Sequence, residues 1–121
     1  MKRIMVVDDS LILDQEVRRL LEGSNYEVVS YCQNGDAAIS AYQAVRPDLV
    51  TMDIIMPGRN GLDTARSILE YDPEANVVMM SSLAYDDTLN EANEIGAKGF
   101  LCKPFDREEL LAALDRAFQE I

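Results

Sequence analysis

Within Leu49-Val50-Thr51-Met52-Asp53-Ile54-Ile55-Met56-Pro57, an apolar run of strand length ends in a single carboxylate. A strand that is buried on both faces reads as a nearly continuous apolar run. Asp53 stands where this run ends, so its side chain is predicted to project from the carboxyl edge of a sheet. In open α/β sheets that edge is where ligands bind.

The remaining segments alternate between strand-like and helix-like patterns. Apolar and β-branched runs predict strands at residues 4–7, 26–32, 49–53, 76–80 and 99–102. Helical spacing of apolar residues follows each run, and Asp106 with Glu109 three residues later has the pattern of a capping box. Because strand-helix-strand crossovers are right-handed, five such units predict a parallel sheet with helices on both faces. We expect a single domain over residues 1–121.

Parallel strands end at the same edge of a sheet, so the residues that follow them should lie together. Those residues are Asp8 and Asp9 after the first strand, Asp53 after the third, Ser81 after the fourth and Lys103 after the fifth. Three carboxylates and one ammonium leave a charge of about −2, which is costly without a divalent cation. Magnesium fits best, since it accepts carboxylates together with waters and phosphate oxygens.

With such a cation in place, an Asp can act as a nucleophile toward a phosphoryl donor. Lys103 and the Ser81 hydroxyl would then hold the phosphoryl oxygens. The contribution of the protein would be positioning and charge neutralisation of a loose transition state.

The composition excludes several classes of protein. A net charge of −11 disfavours binding to nucleic acid and to anionic membranes. Residues 61–121 carry 5 basic and 13 acidic side chains, so a partner of that half is expected to offer basic groups. The absence of His removes His-based triads and metal sites. Cys32 and Cys102 are predicted to be core thiols, and the lack of a signal peptide or a bilayer-spanning run predicts a cytoplasmic location.

Four short motifs follow one another in a fixed order along the chain. They are Asp8-Asp9, the segment Asp53-Ile54-Ile55-Met56-Pro57 with Asn60-Gly61 after it, Ser81, and Lys103-Pro104-Phe105. Together they resemble the receiver domain of two-component response regulators, over nearly the whole chain. The resemblance implies a flavodoxin-like (βα)5 fold with strand order 2-1-3-4-5, and a signalling phosphoacceptor rather than an enzyme.

The resemblance also assigns roles at the acidic edge. Asp53 would accept a phosphoryl group from a sensor histidine kinase or a phosphotransfer protein. Asp9, Asp53 and the Ile55 backbone carbonyl would ligate Mg²⁺ directly, and Asp8 would do so through water. Lys103 would pair with the phosphoryl group, and its bond to the following proline would be cis.

A two-state switch is a further implication of the resemblance. Ser81 would be the hydroxyl drawn toward the phosphoryl group, and Phe100 the aromatic that turns inward behind it. The changed surface would comprise the fourth helix, fifth strand and fifth helix, where a downstream protein binds. Lys98 and Gly99 stand where dimerising members often carry acids, so we expect a monomer or a phosphorylation-dependent dimer.

Two positions that tune dephosphorylation in this family are apolar here, namely Ile55 and Leu83. Neither side chain can orient an attacking water, and both can shield an acyl phosphate. Slow self-dephosphorylation is therefore expected.

Two rival functions share parts of the pattern. A phosphohydrolase of the haloacid-dehalogenase type needs a second Asp two residues after its nucleophile, but Ser10 follows Asp8 and Ile55 follows Asp53. A flavodoxin-like FMN carrier would share the fold. It would want a phosphate-binding loop after the first strand, where Asp8-Asp9 instead repels phosphate.

Overall fold

Strands and helices alternate along the chain. The computed structural model describes residues 1–56, 58, 60–82 and 86–118, with the backbone alone of Asp86. The strands are β1 (Lys2–Val7), β2 (Tyr26–Cys32), β3 (Leu49–Asp53), β4 (Val77–Ser81) and β5 (Gly99–Cys102). The helices are α1 (Leu11–Leu20), α2 (Gly35–Val45), α3 (Gly61–Tyr71), α4 (Asp86–Ile95) and α5 (Arg107–Ala117).

The five strands form one parallel sheet in the order β2-β1-β3-β4-β5. The predicted doubly wound, flavodoxin-like architecture is therefore confirmed. β1 and β3 are neighbours although β2 lies between them in sequence, so the direction of winding reverses there. The crevice at such a switch point is the usual ligand site of an open α/β sheet. Asp8 and Asp53 lie at the carboxyl ends of these two strands.

Each face of the sheet has its own apolar core. Met5, Val7, Val50 and Met52 belong to the core that α2 and α3 cover, and Ile4, Val6, Leu49 and Val78 belong to the core that α1 and α5 cover. Side chains alternate across a strand, which is why sequence neighbours enter different cores. Met5, Met52, Met79 and Met80 are fully buried, so these methionines fill part of the two cores.

Two strand boundaries differ from the prediction. β1 begins at Lys2, two residues earlier, because the Lys2 N–H donates to the Asn25 carbonyl at 2.8 Å and extends the pairing with β2. β4 runs to Ser81 and omits residue 76, because Ser81 pairs in register with Cys102. In both cases a polar residue joins the strand through its backbone hydrogen bonds. A search for apolar runs does not detect such residues.

The prediction of two core thiols was half wrong. Cys32 is buried, whereas Cys102 is exposed. Cys102 is the last residue of an edge strand, and a side chain in that position has fewer neighbours to cover it than one in a central strand.

Polar side chains cap the helices that surround the sheet. The Asp106 side chain accepts from the Glu109 N–H at 2.8 Å while the Glu109 side chain accepts from the Asp106 N–H at 3.2 Å, which confirms the predicted capping box. Ser10, Asn34 and Asn60 cap α1, α2 and α3, and each side chain accepts from the backbone N–H three residues further on. Among the described helices, none combines the length and hydropathy needed to cross a membrane.

Gly61 places the start of α3 directly against the end of β3. Its N–H donates to the Ile54 carbonyl at 2.7 Å. A Cβ on Gly61 would lie 1.8 Å from the Asp53 carbonyl oxygen and 2.8 Å from the Ile54 Cα. These neighbours are backbone atoms, which cannot rotate away as the end of a side chain can. Gly61 therefore fixes the connection that follows Asp53.

We predict that Gly61→Ala lowers the free energy of unfolding by about 2–4 kcal/mol, because the added methyl forces β3 and α3 apart. Urea unfolding monitored by circular dichroism measures the change. Gly99→Ala is the matched control, since its Cβ would meet only Val78 methyl groups at 3.7 and 3.9 Å. Equal stability of the two variants would show that the close approach of α3 to β3 is not a constraint.

Candidate functional site

Asp53 ends β3 and is 5% exposed. It pairs in register with Met80, and the Ile54 N–H continues the ladder by donating to the Met80 carbonyl at 3.1 Å. The backbone around Asp53 is thus held by the neighbouring strand. Its carboxylate lies at the carboxyl edge of the sheet, where the apolar run predicted it.

Asp8 and Asp9 leave β1 at the same edge. The Asp8 N–H donates to the Cys32 carbonyl at 3.0 Å, and Asp8 Oδ1 accepts from the Ser10 N–H at 2.8 Å. Asp8 is fully buried and Asp9 is exposed. One carboxylate oxygen from each of Asp8, Asp9 and Asp53 lies within 4.8 Å of the others. These three residues form a group that can hold a metal ion.

Lys103 delivers the one cation that contacts this group in the described part of the chain. Its N–H donates to the Ser81 carbonyl at 2.9 Å, and its peptide bond to Pro104 is cis, as the resemblance implied. The Lys103 Nζ lies 2.7 Å from Asp8 Oδ2 and 3.3 Å from Asp53 Oδ1. The ammonium therefore joins two of the three acids and sits closer to Asp8.

The pKa values at this edge reflect how unevenly the ammonium is shared. Burial and the charge of Asp8 raise the pKa of Asp53, and Lys103 only partly offsets them. Burial lowers the pKa of Lys103, but its hydrogen bond to Asp8 and the charges of Asp53 and Asp8 together raise it above its usual value. Lys103 is thus a firmly protonated cation beside an acid, Asp53, whose charge is incompletely compensated.

The predicted switch residues lie on adjacent strands. Ser81 ends β4 and is 2% exposed. Phe100 pairs in register with Met79, which is two residues before Ser81 in β4. Phe100 is therefore further from the carboxyl edge, and it is partly buried against the core that α3 covers. Ile55 follows the strand and is 59% exposed beside the acidic group. Leu83 lies outside the described residues.

Two residues with buried polar groups were not predicted from the sequence. Asp14, in the first half of α1, is 4% exposed, and Tyr31, in β2, carries a buried hydroxyl. Burial raises the pKa of Tyr31, and the charges of Asp8, Asp14 and Asp9 raise it further. The burial of Asp14 was predictable, because Asp14 precedes Val17 by three positions and so falls on the apolar face of the helix.

The comparisons with known proteins agree with the geometry. The sequence profile of the family described as "Response regulator receiver domain" matches residues 4–115. This chain belongs to that family. It is a phosphorylation-activated signalling receiver, and neither the phosphohydrolase nor the flavodoxin alternative is supported.

Proteins similar to this receiver cover it almost end to end. Protein CcdB of Bacillus subtilis is 41% identical over 116 residues, which is 96% of this chain and 97% of that protein. Chemotaxis protein CheY of Listeria monocytogenes is 36% identical over 117 residues, 97% and 98% of the two chains. CheY in a CheX-CheY-BeF3-Mg²⁺ complex from Borrelia burgdorferi superposes with a TM-score of 0.94 at 27% identity, covering 98% of this receiver and 90% of that chain.

We predict that Asp53→Asn raises the free energy of unfolding near neutral pH, by on the order of 1 kcal/mol. The pKa of Asp53 is higher in the folded protein than in the unfolded chain. At pH values between these two pKa values, the folded protein holds a proton on Asp53 that the unfolded chain has lost. The free energy of unfolding therefore falls as pH rises through this window. At pH values above this window, the ionised Asp53 side chain still lowers the free energy of unfolding.

Urea unfolding without divalent cations, near neutral pH and in mild acid, measures the effect. The advantage of the Asn variant should shrink as pH falls toward the ordinary carboxyl range, because the parent then protonates Asp53. Asp63→Asn, at an exposed acid in the first turn of α3, serves as the control. A less stable Asn variant near neutral pH would mean that the Lys103 contact outweighs burial and repulsion.

Proposed function

We propose that Asp53 is the phosphoacceptor of this receiver and that Asp8, Asp9, Ser81 and Lys103 assist it. The observation that carries this assignment is the position of Lys103 Nζ between Asp8 and Asp53, at 2.7 and 3.3 Å, within the acidic group. A cation fixed there can pair with a phosphoryl group on Asp53 without leaving Asp8. Asp8 is also buried at a strand end and in contact with Lys103, but both of its carboxylate oxygens already accept hydrogen bonds, from the Ser10 N–H and from Lys103 Nζ.

The donor set suits Mg²⁺. It consists of hard carboxylate oxygens, one of them exposed on Asp9, and Mg²⁺ prefers such ligands with waters in the remaining positions. When bound, Mg²⁺ neutralises charge on the acids and on the phosphoryl oxygens. Asp9 and Asp53 would contact it directly with the Ile55 carbonyl, and Asp8 through water. The Borrelia burgdorferi complex, whose description includes Mg²⁺, supports this assignment.

Phosphoryl transfer needs little covalent chemistry from the protein. An oxygen of the Asp53 carboxylate attacks phosphorus, a new P–O bond forms, and the bond from phosphorus to the donor breaks. The donor leaves with the electron pair of that bond, as imidazole from a phosphohistidine or as acetate from acetyl phosphate. Lys103 holds the phosphoryl oxygens in line, and the desolvated pocket strengthens that contact.

A groove lies next to Lys103, between α1 and the connection from β5 to α5. Its volume is about 480 Å³, and it is lined by Leu13, Glu16, Ser82, Lys103, Pro104 and Phe105. Phosphohistidine on a sensor kinase or a phosphotransfer protein is the natural donor for a receiver. This assignment rests on the family.

The output is a changed surface on α4, β5 and α5. The phosphoryl group would draw the Ser81 hydroxyl inward, and Phe100 would move into the space behind it. Both residues lie on adjacent strands and Phe100 is only partly buried, so it has room to change its burial. A downstream protein that prefers the second arrangement would shift the population toward it. CheX in the Borrelia burgdorferi complex is one protein that assembles with a CheY.

We predict that incubation with Mg²⁺ and acetyl phosphate adds the mass of one phosphoryl group to the parent, and that Asp53→Asn abolishes the gain. Asp63→Asn is the matched control, because Asp63 is an exposed acid near the same strand-helix connection. Intact-protein mass spectrometry measures both. An undiminished mass gain in Asp53→Asn would show that Asp53 is not the phosphoacceptor. Loss of the gain in Asp63→Asn alone would make Asp63 the phosphoacceptor.

We predict that Ile55→Asn speeds loss of the phosphoryl group by roughly 3- to 30-fold, equivalent to about 0.6–2 kcal/mol of barrier. The exposed Ile55 side chain shields the pocket without offering a hydrogen bond to water, whereas an amide can orient one. Mass spectrometry of the purified phosphoprotein over time gives the rate. Ile55→Val keeps the apolar character and should lose phosphate at the parental rate; an unchanged or slower rate in Ile55→Asn contradicts the shielding role.

A further inference from the structure

A second pocket, of about 480 Å³, lies where α2 and α3 end. Each helix returns the chain from the carboxyl edge of the sheet to its amino edge, so this pocket is on the opposite side of the molecule from Asp53. Its volume is within the range of about 300–1,000 Å³ that small-ligand sites usually have. We call it the tyrosine pocket, and it is lined by Tyr42, Arg46, Pro47, Tyr71 and Asp72.

Arg46 has a backbone conformation that its residue type disfavours. It follows the last residue of α2 with φ of 50° and ψ of 63°, and it is the one non-glycine residue with positive φ in the described part of the chain. Glycine is the usual residue at this place, because it adopts the left-handed conformation without the steric cost of a Cβ. The arginine side chain is therefore placed at the pocket at a steric cost.

The Arg46 guanidinium is available to an anion. It is exposed, and it forms no hydrogen bond or ion pair with any described residue. The Arg46 carbonyl accepts from Arg3 Nη1 at 3.1 Å, which places a second guanidinium against the backbone of the same residue. Guanidinium groups bind phosphate through two parallel hydrogen bonds. A phosphate is thus the anion that suits this end of the pocket.

Two tyrosine rings form a corner within the same pocket. The ring centroids of Tyr42 and Tyr71 are 6.4 Å apart, and the ring planes are inclined at 88°. Tyr42 is 5% exposed, whereas Tyr71 is 51% exposed. The buried ring supports the exposed one, so Tyr71 offers an ordered aromatic face to solvent. Nucleobases stack on such faces whatever their sequence identity.

Asp72 holds the buried tyrosine in place and keeps some capacity to accept hydrogen bonds. Its Oδ2 accepts from the Tyr42 hydroxyl at 2.7 Å, and its Oδ1 accepts from the Glu74 N–H at 3.1 Å. Each carboxylate oxygen can accept a second hydrogen bond. The exocyclic amine of adenine is a donor, so Asp72 suits the amino edge of a base, while its charge directs a phosphate toward Arg46.

We propose that the tyrosine pocket binds a mononucleotide. The phosphate pairs with Arg46, the base lies against the exposed face of Tyr71, and the amino edge of the base donates to Asp72. The net charge of −11 gives an anionic ligand no attraction from a distance, so selection depends on these short-range contacts. Binding there requires neither Asp53 nor a metal ion, and failure of phosphoryl transfer at Asp53 would leave it untouched.

The test is the affinity of the full chain for AMP, measured by heteronuclear NMR titration without divalent cations. Adenosine and ribose 5-phosphate should each bind at least about tenfold more weakly than AMP, because each lacks one half of the contacts. Arg46→Gln should weaken AMP binding roughly tenfold, and Tyr71→Leu roughly three- to tenfold. Arg116→Gln removes the same charge from an exposed position in the last turn of α5 and should change the affinity less than twofold.

Arg46→Gly separates a binding role of this residue from a structural one. Glycine relieves the left-handed backbone, so this variant should unfold at a higher urea concentration than the parent and yet lose AMP binding. A lower urea midpoint together with parental AMP binding would instead assign Arg46 to stability alone.

Several results of the titration would overturn the proposal. They are the absence of AMP binding by the parent, parental affinity in Arg46→Gln or Tyr71→Leu, and equal weakening in Arg116→Gln. The location of the shifted resonances is a further criterion. AMP should shift the amides of residues 42–47 and 71–72, and shifts confined to the Asp53 edge would contradict a site in the tyrosine pocket.

Discussion

Three carboxylates meet one ammonium at the carboxyl edge of the sheet, and the rest of the structure depends on how that ammonium is shared. Lys103 Nζ lies closer to Asp8 than to Asp53, so Asp53 keeps a charge that burial and its neighbours oppose. The folded protein holds these charged groups in this unfavourable arrangement because their backbone is hydrogen-bonded to adjacent strands. A cation bound beside Asp53 would therefore stabilise its charge.

The topology supplies the rigidity that this arrangement requires. β1 and β3 are central neighbours in the sheet, and helices cover both of its faces over two fully buried apolar cores. Gly61 brings α3 against the backbone of Asp53 so closely that no side chain fits between them. Apolar burial therefore offsets the electrostatic cost of the site, which is the usual relation between a stable scaffold and a functional edge.

Much of this was predictable, since it depends on periodicity and on strand ends. Apolar runs located the strands, and parallel winding then required Asp8, Asp53, Ser81 and Lys103 to share an edge. Their roles remain proposals, but the structure does bring Asp8, Asp53 and Lys103 into contact. The unequal sharing of the ammonium was not predictable, because it depends on distances of a few tenths of an ångström.

Burial of individual side chains was the weaker part of the prediction. Cys102 belongs to an apolar segment, yet it is exposed at the end of an edge strand. Asp14 is a charged residue in a helix, and its burial follows from the rotation of α1 against β2 rather than from its own chemistry. Such positions are decided by how the elements pack against one another, which the pattern of a single segment does not show.

We propose that Asp53, and not another acid of the group, carries the phosphoryl group. Borohydride reduces an acyl phosphate to the corresponding alcohol, so treatment of the phosphorylated protein converts the modified Asp to homoserine. Proteolysis and tandem mass spectrometry then locate that residue. We predict homoserine at position 53 alone, dependent on prior exposure to Mg²⁺ and phosphodonor. Homoserine at position 8 or 9, with position 53 unmodified, would contradict it.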